Sequence, residues 1–153
     1  PSKIWPAGRF AEVANRLILE RQAKIAVVAS PKDLAIAQSV VRNINSLVID
    51  LSGKTSVSQL ASLLKRAQLF ISNDSGPVHI ATAVGTTVIS IFGRNQTGLG
   101  PRRWGPVGKK DVYLHKPAAC IECLAHNCVK DFACLKAVTT EDVLRAADTV
   151  IKR

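Results

Sequence analysis

Short apolar runs alternate along the chain with stretches in which apolar residues recur every three or four positions. Such runs are typical of buried strands, and the spaced positions are typical of amphipathic helices. The runs predict strands at Lys24–Ala29, Leu47–Asp50, Leu69–Ile71, Thr87–Phe92 and Val112–His115. The spaced positions predict helices at Ala7–Arg21, from Asp33 to about Arg42, at Val57–Arg66, from Pro77 to Gly85 and at Thr139–Lys152. This alternation predicts a parallel sheet with helices on both faces.

The predicted fold class is therefore α/β, with a Rossmann-like sheet. A Rossmann-like half normally begins with a strand, whereas this chain begins with a loop and a helix. The chain starts at Pro1 and contains no Met. We therefore expect a piece of a longer protein whose first strand lies upstream, and a single domain over residues 1–153.

The stretch Leu69–Phe92 predicts a strand, a polar turn, a helix and a second strand. A helix N-terminus has free backbone N–H groups and favours an anion, most often phosphate. In the turn, Gly76 would let a ligand approach the backbone, and Ser75 and His79 could donate to it. The alternative is a capped helix, in which Asp74 and Ser75 satisfy the backbone donors and His79 is a surface residue.

The chain carries 21 Lys and Arg against 11 Asp and Glu, a net charge of +10. Such an excess favours anionic partners, whether nucleotide phosphates, nucleic acid or an acidic lipid surface. Aromatic residues make up only 5% of the chain, which weakens the single-stranded nucleic-acid interpretation. No apolar run approaches the length that spans a bilayer.

A basic stretch, Gly93–Lys116, contains six Lys or Arg residues and one acid. It could contact a donor diphosphate or a phosphorylated lipid acceptor, or it could simply be a solvated loop. We keep Arg94 as a donor-site candidate, favour the solvated interpretation for Lys109 and Lys110, and expect Trp104 to hold the loop in place.

Four cysteines follow within fifteen residues. They are Cys120, Cys123, Cys128 and Cys134. This spacing suits a tetrahedral zinc site or an iron–sulfur cluster. Four reduced thiols that pack an irregular segment, 117–137, are an equal alternative, and a cytoplasmic setting argues against disulfides.

Three segments together resemble glycosyltransferase family 9, the ADP-heptose:lipopolysaccharide heptosyltransferases. The family typically shows Asp-Ser/Thr-Gly-Pro-x-His-x-Ala, a later Gly, and a strand that ends in Phe-Gly. Here these are Asp74–Ala81, Gly85 and Phe92-Gly93. Lys3–Phe10 is similar to the family's Lys-x-Trp-Pro…Arg-Phe segment, and Leu51–Ser56 to its Gly-Lys-Thr segment.

The resemblance implies that this chain is the nucleotide-sugar-binding C-terminal half of a GT-B glycosyltransferase. It implies that Lys3 neutralises the diphosphate, that the first turn of the helix holds phosphate, and that Asp74 faces the sugar. Asp33 is the candidate for the ribose, although Ala29–Asp33 departs from the family's Gly-Gly-x-x-Glu-like turn. The expected donor-binding residues are Lys3, Asp33, Asp74, Ser75, Gly76, His79 and Arg94.

The same resemblance implies an inverting reaction whose general base lies in a missing N-terminal half. We therefore expect no catalytic residue in this chain, and donor binding without turnover. Fixed N–H donors and a Lys would stabilise the leaving diphosphate without a metal. The implied partners are an ADP-heptose-like donor and a lipopolysaccharide-core acceptor, in the cytoplasm or at the anionic inner face of its membrane, with no nucleic acid. The alternative function is a basic four-cysteine metal-binding module that contacts nucleic acid.

Overall fold

The structure is a computed structural model that describes residues 3–94, 96–120, 123 and 125–151. The chain divides into two compact units. The first unit contains the described residues of Pro1–Trp5 and Ala61–Arg153, and the second is Pro6–Leu60. This division does not test the prediction of a single domain over residues 1–153, which stays a prediction.

The unit Pro6–Leu60 combines two helices with a pair of parallel strands. Its elements are α1 (Ala7–Arg21), β1 (Ala26–Val27), a 3₁₀ turn (Pro31–Asp33), α2 (Leu34–Arg42) and β2 (Ile49–Asp50). The first residues of α3 (Val57–Lys65) complete it. Helices α1 and α2 pack together over a core of Ala11, Ala14, Val40 and Ile44. The predicted bounds of α1 are confirmed.

Both strands of this unit are shorter than predicted. The sequence predicts a buried strand at Lys24–Ala29 and a short strand at Leu47–Asp50, but the regular pairing covers two residues of each. Within the described residues β1 pairs with β2 alone, so each strand has a ladder on one side only. Ala26 is accordingly exposed rather than buried. The prediction of a fully buried strand at Lys24–Ala29 is therefore wrong.

The other unit contains a three-stranded parallel sheet. Its elements after α3 are β3 (Leu69–Asn73), α4 (Gly76–Ala83), β4 (Thr87–Ile91), α5 (Pro101–Trp104), β5 (Val112–Leu114), a 3₁₀ turn (Ala125–Asn127), α6 (Ala133–Ala137) and α7 (Thr140–Val150). The strand order is β3-β4-β5. Central strand β4 is the most buried of the three. Parallel strands that alternate with helices confirm the predicted α/β class.

The register places the carboxyl ends of these strands side by side. Asn73 pairs with Ile91, and Ile91 with Leu114. The segments that follow β3, β4 and β5 therefore leave the sheet at one edge. In parallel α/β sheets this is the edge at which ligands bind.

Several boundaries differ in detail from the predictions. Helix α4 begins at Gly76, so Pro77 is its second residue, where a missing N–H still costs nothing. Gly85 adopts a φ of 84° after the helix, a conformation that glycine tolerates. The segments expected to be irregular contain the short helices α5 and α6. The predicted end of the last helix at Lys152 lies outside the described residues.

No helix within the described ranges is both long enough and apolar enough to cross a bilayer.

A capping box begins α7, as predicted from Thr139 and Asp142. The Asp142 amide donates to Thr139 Oγ1 (3.2 Å), and the Thr139 amide donates back to Asp142 Oδ2 (2.8 Å). Lys116 and Arg145 both form ion pairs with the same carboxylate. Burial raises the pKa of Asp142, but the hydrogen bonds from Lys116, Thr139 and Arg145 outweigh burial and hold that pKa well below its usual range.

We expect Asp142→Asn to lower the free energy of unfolding by about 1–3 kcal/mol at neutral pH, because hydrogen bonds to two cations are lost. The lowered folded-state pKa makes this contribution complete above the unfolded-state pKa of about 3.9. The contribution declines as pH falls further towards the folded-state value. Urea unfolding of both proteins tests this, at pH values from about 7 to about 2.5 that bracket the unfolded-state pKa of about 3.9.

The matched control is Glu141→Gln, which removes an exposed carboxylate from the same helical turn. It should change the free energy of unfolding by about 0.5 kcal/mol or less. An Asp142→Asn deficit that stays constant throughout the acid range would contradict the assignment.

Candidate functional site

Backbone hydrogen bonds hold together the segments that follow the three strands. The Asp74 amide donates to the Ile91 carbonyl (3.1 Å), and the Phe92 amide donates to the Leu114 carbonyl (2.8 Å). The Phe92 carbonyl accepts a hydrogen bond from His115 Nδ1 (3.1 Å). The turn after β3 and the loop after β4 are therefore neighbours at one edge of the sheet.

Among the described residues, no side chain caps the N-terminus of α4. Ser75 occupies the N-cap position, yet its side chain bonds no backbone N–H of the helix. Its hydroxyl instead shares a 3.0 Å hydrogen bond with the hydroxyl of Ser72. A Cβ built on Gly76 would meet no atom within 4 Å. The helix start is thus uncapped by side chains and open beside Gly76, which favours the anion-site prediction over the capped-helix alternative.

Lys3 lies beside this turn because its neighbour Trp5 is buried. Trp5 is 0% exposed, and its indole N–H donates to the Val138 carbonyl (2.9 Å). Its backbone amide donates to Asn73 Oδ1 (2.8 Å), at the end of β3. These bonds bring the Lys3 ammonium to 2.6 Å from a carboxylate oxygen of Asp74. The structure therefore pairs two predicted donor-binding residues.

Asp74 is 8% exposed, so Lys3 compensates a largely buried negative charge. A carboxylate alone at a phosphate site would repel the ligand. Paired with Lys3, it leaves this end of the turn electrically balanced.

His79 lies on the first turn of α4 and is exposed. Its ring meets the indole of Trp104 edge to face, with the centroids 6.2 Å apart. Trp104 also donates from Nε1 to the Gly98 carbonyl (3.2 Å), as expected of a residue that holds its loop. The contact with His79 was not predicted, because nothing in the local sequence pattern links residues 25 positions apart.

Arg94 begins the loop after β4 and is half-buried. Its Nη2 donates to Gln96 (3.2 Å), but its Nε is buried and has no partner among the described residues. Gly93, just before it, has no room for a side chain, since a Cβ would lie 2.6 Å from Leu135. The loop therefore leaves the sheet along a fixed path, with one donor of Arg94 unsatisfied. Asn95 lies outside the described residues.

Asp33 belongs to the other unit, Pro6–Leu60. Its carboxylate is exposed and accepts a 2.6 Å hydrogen bond from Ser30. The six other predicted donor residues, in contrast, lie in one unit.

Asp50 organises the turn that resembles the family's Gly-Lys-Thr segment, and the sequence analysis missed it. Its carboxylate accepts from the Ser52 amide and from Gln38 (both 2.9 Å). Hydrogen bonds from Ser52, together with Gln38 and the charge of Lys54, lower the pKa of Asp50. Its place at the end of a predicted strand was the available signal.

The four cysteines are free thiols. Within the described part of the chain, no three His, Cys, Asp or Glu side chains are arranged to hold a metal ion. Cys128 Sγ accepts a hydrogen bond from the Phe132 amide (3.3 Å). Burial raises the pKa of Cys134, and the charges of Cys123 and Cys128 raise it further. The described residues therefore form no preassembled metal site.

Two cavities, of about 320 and 350 Å³, lie beside α7 rather than at the start of α4. None of the predicted donor residues lines either of them. The first is lined partly by His115 and Lys116, which follow β5. The candidate site therefore rests on its hydrogen-bond donors and charges, and not on either of these cavities.

Comparisons with known proteins show which family this chain resembles. The family model described as glycosyltransferase family 9 (heptosyltransferase) matches residues 1–133. Lipooligosaccharide heptosyltransferase 2 of Campylobacter jejuni is 29% identical over 99% of this chain, which covers 47% of that protein. These matches support the glycosyltransferase interpretation and not the nucleic-acid one.

Solved structures show the same fold. The glycosyl transferase family 9 protein from Veillonella parvula superposes with a TM-score of 0.84 at 28% identity, over 98% of this chain and 42% of that one. E. coli heptosyltransferase WaaC with ADP gives a TM-score of 0.71 at 21% identity, over 94% of this chain and 39% of that one. The chain thus spans less than half the length of the proteins described here.

We expect Trp5→Phe to lower the free energy of unfolding by about 1–3 kcal/mol, because the Val138 carbonyl would lose its buried donor. The matched control is Trp104→Phe at the only other tryptophan, which is 43% exposed. This control should cost less, about 1 kcal/mol or below, because the hydrogen bond that it removes is exposed. Equal losses in urea unfolding of the two variants would show that the buried bond of Trp5 does not hold Lys3 beside Asp74.

Proposed function

This chain belongs to glycosyltransferase family 9, and we propose that it is the donor-binding C-terminal half of an inverting glycosyltransferase. The donor is an ADP-heptose-like nucleotide sugar, and the acceptor is the lipopolysaccharide core. The heptosyltransferase from C. jejuni and the WaaC structure with ADP support this choice of sugar and nucleotide. Because the chain covers less than half of either protein, the reaction itself remains part of the proposal.

The uncapped N-terminus of α4 is the observation that carries the proposal. A helix N-terminus offers directed N–H donors and a partial positive charge to a phosphate. Here Gly76 leaves that end open, and Lys3 lies beside it with its ammonium on Asp74. A diphosphate could therefore meet a helix dipole and a cation at the same turn.

Each predicted donor residue takes a role within this proposal. Ser75, Gly76 and His79 contact phosphate, and Lys3 neutralises its charge. Asp74 faces the sugar hydroxyls while it holds Lys3 in place. The unsatisfied Nε of Arg94 is a donor that a ligand oxygen could accept from. Asp33 is assigned to the ribose by family resemblance alone.

The proposed reaction places the leaving group on this chain. An acceptor hydroxyl attacks the anomeric carbon, the bond from that carbon to the β-phosphate oxygen breaks, and ADP leaves with an additional negative charge. N–H groups fixed at α4 and the Lys3 ammonium can stabilise that charge as it develops. These groups do so without a divalent cation. The hydroxyl proton goes to a general base that we assign to a region outside this chain.

This division of labour means that the chain alone binds the donor but does not turn it over. Its partner is the N-terminal half that carries the base and contributes the remaining acceptor contacts. We place the whole enzyme in the cytoplasm, where it would meet a lipid-linked acceptor at the membrane surface.

We propose separately that the four cysteines bind one structural zinc ion or an iron–sulfur cluster. The spacing C-x2-C-x4-C-x5-C supports this. The described residues do not form a ready set of ligands, so the metal would have to draw the thiols together. A structural site of this kind would order the segment and take no part in sugar transfer.

We expect this chain to bind ADP in a calorimetric titration, and Gly76→Ala to weaken that binding by about 10-fold or more. The added methyl would lie over the start of α4, where the phosphate would bind. It would displace that phosphate, whose hydrogen bonds would be worth about 1.5–3 kcal/mol. Stability should not fall, because the methyl meets open space and Ala favours a helix over Gly.

Gly8→Ala is the matched control for this titration. Gly8 is also an exposed glycine in the first turn of a helix, and a Cβ there meets nothing within 4 Å. This control should bind ADP as the unchanged chain does. If the folded chain does not bind ADP, or if both alanine variants bind it equally well, the donor-site assignment is wrong.

We expect the chain purified under reducing conditions to contain about one zinc ion, or an iron–sulfur cluster, held by about four thiolate ligands. Cys128→Ser and Cys134→Ser should each release the metal, and ADP affinity should be unchanged because the site is structural. Elemental analysis by mass spectrometry, with thiol titration on the same sample, measures this. Unoxidised protein with four titratable thiols and neither zinc nor iron would exclude the metal site.

A further inference from the structure

Residues 96–110, which we call the basic loop, have no acidic side chain. Four exposed cations lie on the loop: Arg102, Arg103, Lys109 and Lys110. None of the four forms an ion pair with a carboxylate anywhere in the described ranges. The loop therefore presents uncompensated positive charge to solvent.

The nearest acid along the chain, Asp111, does not neutralise this charge, because its carboxylate points inward. It accepts hydrogen bonds from the Val88 amide (2.9 Å), the Thr82 hydroxyl (3.0 Å) and the Gly108 amide (2.7 Å). Asp111 thereby ties the end of the basic loop to α4 and β4. The loop is held in place by the same group that could otherwise have balanced its charge.

The basic loop also exposes large apolar side chains. Val107 is 87% exposed, Trp104 is 43% exposed, and Leu99 is exposed as well. The indole of Trp104 bonds to the carbonyl of Gly98, next to Leu99, and the guanidinium of Arg103 lies 5.3 Å from its ring centroid. A tryptophan with aliphatic neighbours and several cations is typical of a segment that lies at a membrane–water interface.

We propose that the basic loop docks the protein on the surface of an anionic phospholipid bilayer. Charge complementarity selects this surface over a neutral one, since each Lys or Arg near an anionic leaflet adds attraction. Exposed Leu99 and Val107 select a bilayer over nucleic acid, whose phosphates give aliphatic side chains nothing to bury against. The inference rests on exposure and charge, and it does not require the proposed function.

Docking through this loop would have a consequence for the candidate site. Trp104 of the loop touches His79, on the first turn of α4. A loop that lies on the bilayer would therefore hold the start of α4 close to the lipid surface. An acceptor that carries a lipid is found at that surface.

The two tryptophans make docking directly measurable. Trp5 is fully buried, so its emission should not respond to lipid, whereas the half-exposed Trp104 should shift to shorter wavelength when it enters the interface. We expect this shift with vesicles of phosphatidylglycerol and phosphatidylcholine in equal parts, and not with phosphatidylcholine alone. Trp104→Phe should abolish the shift and leave the emission of Trp5.

Charge removal tests the electrostatic part of the proposal. We expect weaker vesicle binding when Gln replaces all four cations, Arg102, Arg103, Lys109 and Lys110. The partition coefficient onto the anionic vesicles, measured by co-sedimentation, should fall by a factor on the order of 100 or more. The matched control replaces Lys24, Arg42, Lys65 and Arg66, which are exposed and lie outside the loop, with Gln. It makes the same change in net charge and should keep most of the binding.

The proposal would be overturned if the protein did not bind vesicles, or if it bound the two lipid compositions equally. Equal losses in the two charge variants, or an unchanged Trp104 spectrum on bound protein, would also overturn it. Self-association through the loop, detected by sedimentation, or tighter binding to DNA would assign the surface to another occupant and also overturn it. ADP titration of the loop variant separates this inference from the proposed function, because donor binding should be retained even where vesicle binding is lost.

Discussion

The burial of Trp5 is the constraint on which the candidate site depends. Its indole bonds to Val138 and its amide to Asn73, so residues far apart in the chain meet around one side chain. Val138 precedes α7, whose start is fixed by the Thr139–Asp142 capping box. The position of Lys3 beside Asp74 thus follows from packing and capping at the opposite end of the chain. Lys3 can act at a defined turn only because Trp5, two residues later, is held in this way.

The parallel sheet imposes the second constraint. Because β3, β4 and β5 run in one direction, the turn at Asp74 and the loop at Gly93 must leave the same edge. Close packing then restricts where the loop can go, since Leu135 leaves no space for a side chain at Gly93. Asp111 fixes the far end of the loop by bonding α4 and β4. The site is therefore built from turns whose ends are fixed by the sheet, although the turns themselves are exposed.

Features with a local cause could be predicted from the sequence. The bounds of α1, the capping box at Thr139 and the turn at Asp74–Gly76 each depend on residues within a few positions of one another. The short strands β1 and β2 could not be predicted, because strand length depends on neighbours on both sides. The contact of Trp104 with His79 was missed for a similar reason, since it depends on tertiary packing. Even the hydroxyl of Ser75, which looked like a helix cap, bonds to Ser72 instead.

The net charge of +10 acquires meaning only when the cations are sorted by their partners. Lys3 and Lys116 each form an ion pair with a largely buried carboxylate, so they serve local structure and a local site. The cations of the basic loop have no such partner among the described residues, and the adjacent Asp111 bonds inward. A phosphate held by a helix N-terminus needs a few fixed donors, whereas a lipid surface is attracted by several exposed charges at once. Pairing therefore distinguishes the cation at the proposed donor site from the cations of the proposed lipid-binding loop, which the charge count alone could not do.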